Sequence, residues 1–151
     1  MRKCLALDAN LLILLIVGLT NERYISIHKR TRGYSTNDYI LLSAVISRYS
    51  AIAVTPHALS EASNLLRQID DPARLHVSLV FRAFMQTVKE VHIPSKDASA
   101  RPEYLFLGLS DSALLELAEG DFTLLSADAK LCLSAANAGC EAVNFNHLRN
   151  F

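Results

Sequence analysis

The chain has 151 residues, 51% of them hydrophobic, and a mean hydropathy of +0.22. That is enough apolar material for one well-formed core, so a single domain over 1–151 is expected and a disordered chain is excluded. Fifteen basic and fifteen acidic side chains cancel, which excludes a nucleic-acid footprint spread over the whole surface and leaves room only for a local one.

Lys3 to Leu7 is short, apolar and bounded by a polar residue, as a fully buried strand would be. Asp8, Ala9 and Asn10 then offer caps for a helix from about Leu11 to Leu19, apolar all round and therefore packed on both sides. Arg2 and Lys3 before this apolar stretch resemble the start of a secretory signal. Asp8 and Asn10 interrupt it, however, no small-x-small cleavage site follows, and the run is too short to span a bilayer. Cys4, Cys132 and Cys140 fit neither a disulfide framework nor a zinc spacing. They read as small core residues in a reducing compartment, so a cytoplasmic protein with no membrane contact is expected.

The segment 20–35 is polar and reads as a loop. It sets Arg23, His28, Lys29, Arg30 and Arg32 against Glu22, and is either a local basic footprint or simply a solvated face. Tyr24, Tyr34 and Tyr39 lie near enough in sequence to stack on unpaired bases there. Thr36 or Asn37 caps a second helix through Tyr49, with Tyr39, Leu42, Val45, Ile46 and Tyr49 at helical spacing. Ala51 to Val54 is strand-like. Thr55-Pro56 supplies a capping hydroxyl and then a proline at the first helical position, opening a helix to about Ile69.

Asp70-Asp71-Pro72 ends that helix and starts a fourth, with Leu75, Leu79, Phe84 and Val88 on one face. Val91 to Ile93 is a short strand before a polar loop over 94–102. Gly108-Leu109-Ser110 leads into a helix from Asp111 to Glu119, stopped by Gly120. Phe122 to Leu125 is a strand, Asp128 to Ala138 a helix stopped by Gly139, and Ala142 to Phe145 the last strand. Strands alternating with helices predict an α/β fold, a three-layer α/β/α sandwich around a mainly parallel sheet. The apolar stripes on the second and fourth helices belong to the core, and any surplus is a face for a homodimer.

Four acids stand where core elements begin or end: Asp8, Glu61, Asp111 and Asp128. In an open α/β sheet, ligands bind beyond the carboxyl ends of the strands. Asp8 and Asp128 follow strands there, Glu61 lies about two turns into a helix that follows one, and Asp111 starts a helix. Converging carboxylates without a Cys or His pattern suit Mg²⁺ or Mn²⁺ better than zinc. Singly, each acid has a plainer role. Asp111 suits the positive end of a helix dipole, Asp128 suits a cap, and Glu61 suits an exposed helix position. Asp8, wedged between two apolar runs, has the weakest such account. His57 and Glu61 share a helix face at the spacing of a ligand pair, but no second histidine matches them.

Leu7-Asp8-Ala9-Asn10-Leu11-Leu12, Thr55-Pro56 through Ser60-Glu61, Gly108 through Ala113, and Leu125-Ser126-Ala127-Asp128 resemble, in order, the four signature blocks of PIN domains. The resemblance runs from residue 5 to about residue 145. It implies an α/β/α fold with an acidic, Mg²⁺- or Mn²⁺-dependent phosphodiesterase site. Many PIN domains are endoribonucleases, among them the toxins of VapBC toxin–antitoxin pairs, so an RNA substrate and a cognate antitoxin protein are the implied partners. Asp8, Glu61, Asp111 and Asp128 would be the catalytic, metal-binding acids. Asn10 and Ser126 would be the polar neighbours that hold them. Arg23, Lys29, Arg30, Arg32 and Lys130 are the cations on offer to a nucleic-acid backbone. A structure-specific DNase of the same fold and a non-catalytic RNA- or protein-binding module are the alternatives. An aspartyl-nucleophile phosphotransferase would want a second Asp two residues after Asp8, where this chain has Asn10.

Overall fold

Strand β1 (Cys4–Leu7) lies at the centre of a five-stranded sheet in the computed structural model, which describes residues 3–149. Arg2, part of the signal-like start, lies outside the described residues. The other strands are β2 (Ile52–Val54), β3 (Lys89–Glu90), β4 (Phe122–Ser126) and β5 (Ala142–Asn144). Their order is β3-β2-β1-β4-β5 and every pair is parallel. Parallel neighbours need crossovers, and helices supply all four. Helices α1 (Ala9–Thr20) and α2 (Thr36–Ile46) precede β2, and α3 (Pro56–Leu66) and α4 (Ala73–Met85) precede β3. Helices α5 (Ser95–Ser99), α6 (Tyr104–Leu107) and α7 (Leu109–Ala118) precede β4, and α8 (Ala129–Asn137) precedes β5.

The two-residue period of the strands divides the core. Leu5 and Leu7, with Val54 and Leu125, point to one face and join the buried side chains of α1 to α4. Ala6, Ala53 and Leu124 point to the other and meet Leu114, Leu115, Leu131 and Ala135 of α7 and α8. Helices therefore cover both faces, which is the expected three-layer α/β/α arrangement. Nine of the twelve residues of α1 are buried, because the sheet lies on one side of it and α2, α3 and α4 on the other. Among the described residues, no helix is long and apolar enough to cross a membrane.

Several elements depart from their sequence prediction. Helix α2 stops at Ile46 and β3 falls on Lys89–Glu90, ahead of Val91. The polar stretch 94–102 contains α5. On α4 the buried residues are Ala73, Val77 and Phe81, whereas Leu75 and Leu79 are exposed. Leu75 and Val77 stand about 200° apart on a helix, so the core takes the opposite face, and Phe84 and Val88 pack partly buried against it.

The segment 20–35 is a run of turns that exposes Arg23, Lys29, Arg30 and Arg32 but is anchored to the core. Ile25, His28 and Thr31 are buried within it, and each buried polar group has a partner, as burial demands. The His28 ring lies between the Leu66 carbonyl, 3.0 Å from its Nε2, and the Arg30 N–H, which donates to Nδ1 at 3.0 Å. That pairing requires the neutral ring, protonated on Nε2, and burial pushes the His28 pKa down in the same sense. The Thr31 hydroxyl donates to the Ile25 carbonyl at 2.7 Å. Arg149 closes the far end. Its Nε and Nη2 donate to the two Asp38 oxygens at 3.1 and 3.0 Å, and Nη2 also donates to the Gly33 carbonyl at 3.1 Å.

Candidate active site

The register Leu7↔Leu125 brings β1 and β4 out of the sheet side by side, so Asp8 and Ser126 become neighbours. Asp8 is 4% exposed and both of its oxygens are engaged. Oδ1 accepts from the Leu11 N–H at 2.9 Å, capping α1, and Oδ2 accepts from the Ser126 hydroxyl. The same hydroxyl oxygen accepts from the Asp128 N–H at 2.9 Å. Asp128 in turn caps α8, its Oδ1 accepting from the N–H groups of Lys130 and Leu131 at 2.9 and 3.2 Å. Ser126 thus ties together two acids that end neighbouring strands.

The other two acids arrive on helices from either side. Thr55 caps α3 by accepting from the Ala58 N–H at 3.1 Å, and Pro56 takes the first turn. Glu61 follows on an exposed face of that helix. Gly108 adopts φ +86°, a conformation that side chains with a Cβ rarely take, and there the chain turns from α6 straight into α7. Asp111 lies half-buried in the first turn of α7. Arg101 steadies this corner, donating to Glu116 of α7 at 2.7 Å and to Glu103 at 3.1 Å.

The helix dipole favours a charged Asp111, but its surroundings oppose one. Burial, then the charges of Asp8, Asp128 and Glu61, push its pKa up to about 7. Burial pushes Asp8 up to about 6 against the hydrogen bonds from Ser126, Leu11 and Ala127. Asp111 thus feels the charge of three other acids, and Asp8 that of Asp128, at one edge of the sheet. Among the described residues, no group of three or more His, Cys, Asp or Glu side chains is close enough to hold one metal ion. The donor chemistry nonetheless fits a hard cation, which takes oxygen ligands and needs only one or two carboxylates alongside water and phosphate oxygens. Asp111 has no hydrogen-bond partner in the described chain, so both of its oxygens are available.

Two cavities flank the acids. One, of about 490 Å³, is walled by His57, Ser60, Glu61 and Asn64 of α3 and by Leu107, Leu109, Ser110 and Asp111. The other, of about 560 Å³, holds Asn10, Lys29, Arg30, Gly33, Tyr34, Ala127, Asp128, Asn146 and Arg149. Of the cations singled out in the sequence, Lys29 and Arg30 line this second cavity beside Asp128, while Arg23 lines a separate one with Tyr34 and Thr36. Arg32 and Lys130 are exposed and line neither flanking cavity. The tyrosines are engaged within the fold. The Tyr24 hydroxyl is 2.9 Å from His76 Nδ1, Arg149 lies over the Tyr34 ring at 4.6 Å, and Tyr39 packs on Gly18. His57 Nε2 is 2.8 Å from the Ser95 hydroxyl, which ties α3 to α5 and occupies that nitrogen.

Sequence reasoning passed over Asn64, Asn146 and Arg149. For Asn64 the signal was present, because His57, Ser60, Glu61 and Asn64 repeat at the three- and four-residue spacing of one helix face. Asn146 and Arg149 reach the site only through the fold of the C-terminal segment, and no local pattern marks them.

No family model and no curated protein matches the chain. Among solved structures it is similar to a domain of a functionally unknown protein from Methanocaldococcus jannaschii DSM 2661. The identity is 15% over 94% of this chain and 90% of that one, with a TM-score of 0.48.

Proposed function

We propose that this chain is a PIN-like, Mg²⁺- or Mn²⁺-dependent endoribonuclease, with the toxin of a toxin–antitoxin pair as one role open to it. The observation that carries this reading is Asp111, half-buried and unpartnered, held near a pKa of 7 by burial and by three further acids at the carboxyl edge of the sheet. Such an assembly destabilises itself unless positive charge is supplied. A divalent ion would supply it and would neutralise the phosphate as the P–O bond breaks.

The chain's own residues have separable tasks. Asp8 is held rigid by the Leu11 N–H and the Ser126 hydroxyl, so its charge stays in place as substrate comes and goes. Asp111 can lose or regain a proton near neutral pH. Glu61 and Asp128 present exposed carboxylates on opposite sides. Lys29 and Arg30 lie beside Asp128, where a nucleic-acid backbone would meet them.

The test is cleavage of labelled RNA and single-stranded DNA with Mn²⁺, Mg²⁺ or EDTA. Metal-dependent cleavage of RNA is expected, with at least a hundredfold loss, on the order of that seen when a transition-state contact is removed, in Asp8→Asn and Asp111→Asn. Cleavage of DNA alone would move the assignment to a DNase. One observation favours a second reading, a non-catalytic RNA- or protein-binding module: among the described residues, no three acids stand close enough together for one ion. Binding of RNA by folded protein without any cleavage would establish it.

A further inference from the structure

The two cavities beside the acids differ in a way that a polynucleotide would read. The one at Asp128 carries Lys29, Arg30 and Arg149. Among the described residues, the one between α3 and α7 carries no Lys or Arg, and two of its lining residues are Glu61 and Asp111. A phosphate within the α3–α7 cavity would find no Lys or Arg to balance its charge against Glu61 and Asp111, whereas a neutral base needs none.

We propose that the cavity between α3 and α7 receives one unpaired base of a single-stranded nucleic acid, adjacent to the phosphate held at the acids, and that Asn64 reads its edge. This rests on the nuclease reading above. The cavity's walls match the chemistry of a base, which has apolar faces and a polar rim. Leu107 and Leu109 form an apolar wall, and facing residues on α3 present the Asn64 amide and the Ser60 hydroxyl. Both α3 groups are exposed and neither has a hydrogen-bond partner in the described chain. A carboxamide offers a donor and an acceptor side by side, the pairing that Asn makes with a base edge. At about 490 Å³ the cavity is within the range of small-ligand clefts. Phe106, beside Leu107 on α6, is 57% exposed and Leu105 is 87% exposed, apolar surface on which a neighbouring base can stack. A duplex fits poorly, because its second backbone would bring more phosphates to the acidic wall.

The experiment has two arms. The first maps cleavage on a randomised single-stranded RNA pool and on hairpins. Cleavage confined to unpaired positions, with a base preference next to the cut that flattens roughly tenfold in Asn64→Ala, is the expected result. A profile indifferent to Asn64→Ala, or equal cutting of duplex, overturns the proposal while leaving the nuclease intact. The second arm needs no cleavage: fluorescence of 2-aminopurine placed at successive positions of a single-stranded RNA, bound in EDTA. One position should respond, and Asn64→Ala and Leu107→Ala should abolish that response. A response without cleavage in the first arm would retire the nuclease and keep the base pocket. No response at any position overturns the pocket.

Discussion

Asp111 is a carboxyl group whose charge is opposed from several directions at once. With its folded-state pKa raised from 3.8 to about 7, it is protonated in both folded and unfolded chains below about pH 4, where it costs nothing. Between about pH 4 and 7 the unfolded chain gives up this proton while the folded chain still holds it, so stability falls across that window and the full penalty stands above it. Asp111→Asn removes the effect without removing any hydrogen bond made within the described chain. In EDTA at pH 8 the variant should therefore be more stable than the parent by about 1–2 kcal/mol, a figure already reduced for the carboxyl's partial exposure to water. The difference should shrink to nothing near pH 4. Urea denaturation at the two pH values measures it, and a gap that ignores pH would contradict the account. Asp8 shifts the same way, to about 6. Its carboxylate also caps α1, so its replacement mixes two effects of opposite sign and makes a poorer probe.

Helices α1 and α2 meet where Gly18 faces the ring of Tyr39. A Cβ built on Gly18 would come within 2.2 Å of Tyr39 Cδ1, so the ring or the helices must move. Gly18→Ala should destabilise the protein by about 1–3 kcal/mol, the usual cost of overpacking. The same change made in a Tyr39→Ala background should be neutral or stabilising, since Ala suits a helix better than Gly. A double-mutant cycle by chemical denaturation would show that coupling, and additive effects would mean the ring is not the obstacle. This contact also marks the limit of what the sequence discloses. Elements signalled by their own residues were legible: the Asp8 cap, the Thr55-Pro56 helix start and the short apolar strands all act within a few residues. The side of α4 facing the core was not, because Leu75 and Leu79 are as apolar as Val77 and Phe81, and only packing against α1 and α3 selects between them. Nor was the order within 20–35, where His28 depends on a carbonyl 38 residues away, at Leu66. Asp8, Asp111 and Asp128 were legible because each stands at the start or end of a local element, and Glu61 because it rides the helix that Thr55-Pro56 opens, whereas Arg149 and Asn146 join the cavity beside Asp128 only through the completed fold.

At the scale of the whole molecule, the candidate site is an assembly problem. Asp8 leaves β1, Asp128 leaves β4, Glu61 comes on α3 and Asp111 on α7, so folding brings four carboxylates to one edge of the sheet, within reach of Asp111's charge. The unfolded chain keeps them apart and feels none of that repulsion, which makes the cluster a cost that falls on the native state alone. A cation bound among them would act in the opposite sense, through its preference for the folded chain. At a free ion concentration a hundred times the dissociation constant, that preference adds about 2.7 kcal/mol. For a protein of this size, such a gain corresponds to a rise in melting temperature of roughly 5–10 °C. Thermal unfolding with Mn²⁺ or Mg²⁺ against EDTA should show the rise in the parent protein. In Asp111→Asn the shift should fall by at least half, from a higher starting temperature at pH 8, because the variant has already shed part of the repulsion that the ion would relieve. The two changes must appear together if one cluster accounts for both. A raised starting temperature with an undiminished metal response would mean that the ion binds elsewhere, and a melting temperature indifferent to both metals would leave the acids without the cation on which the nuclease reading depends.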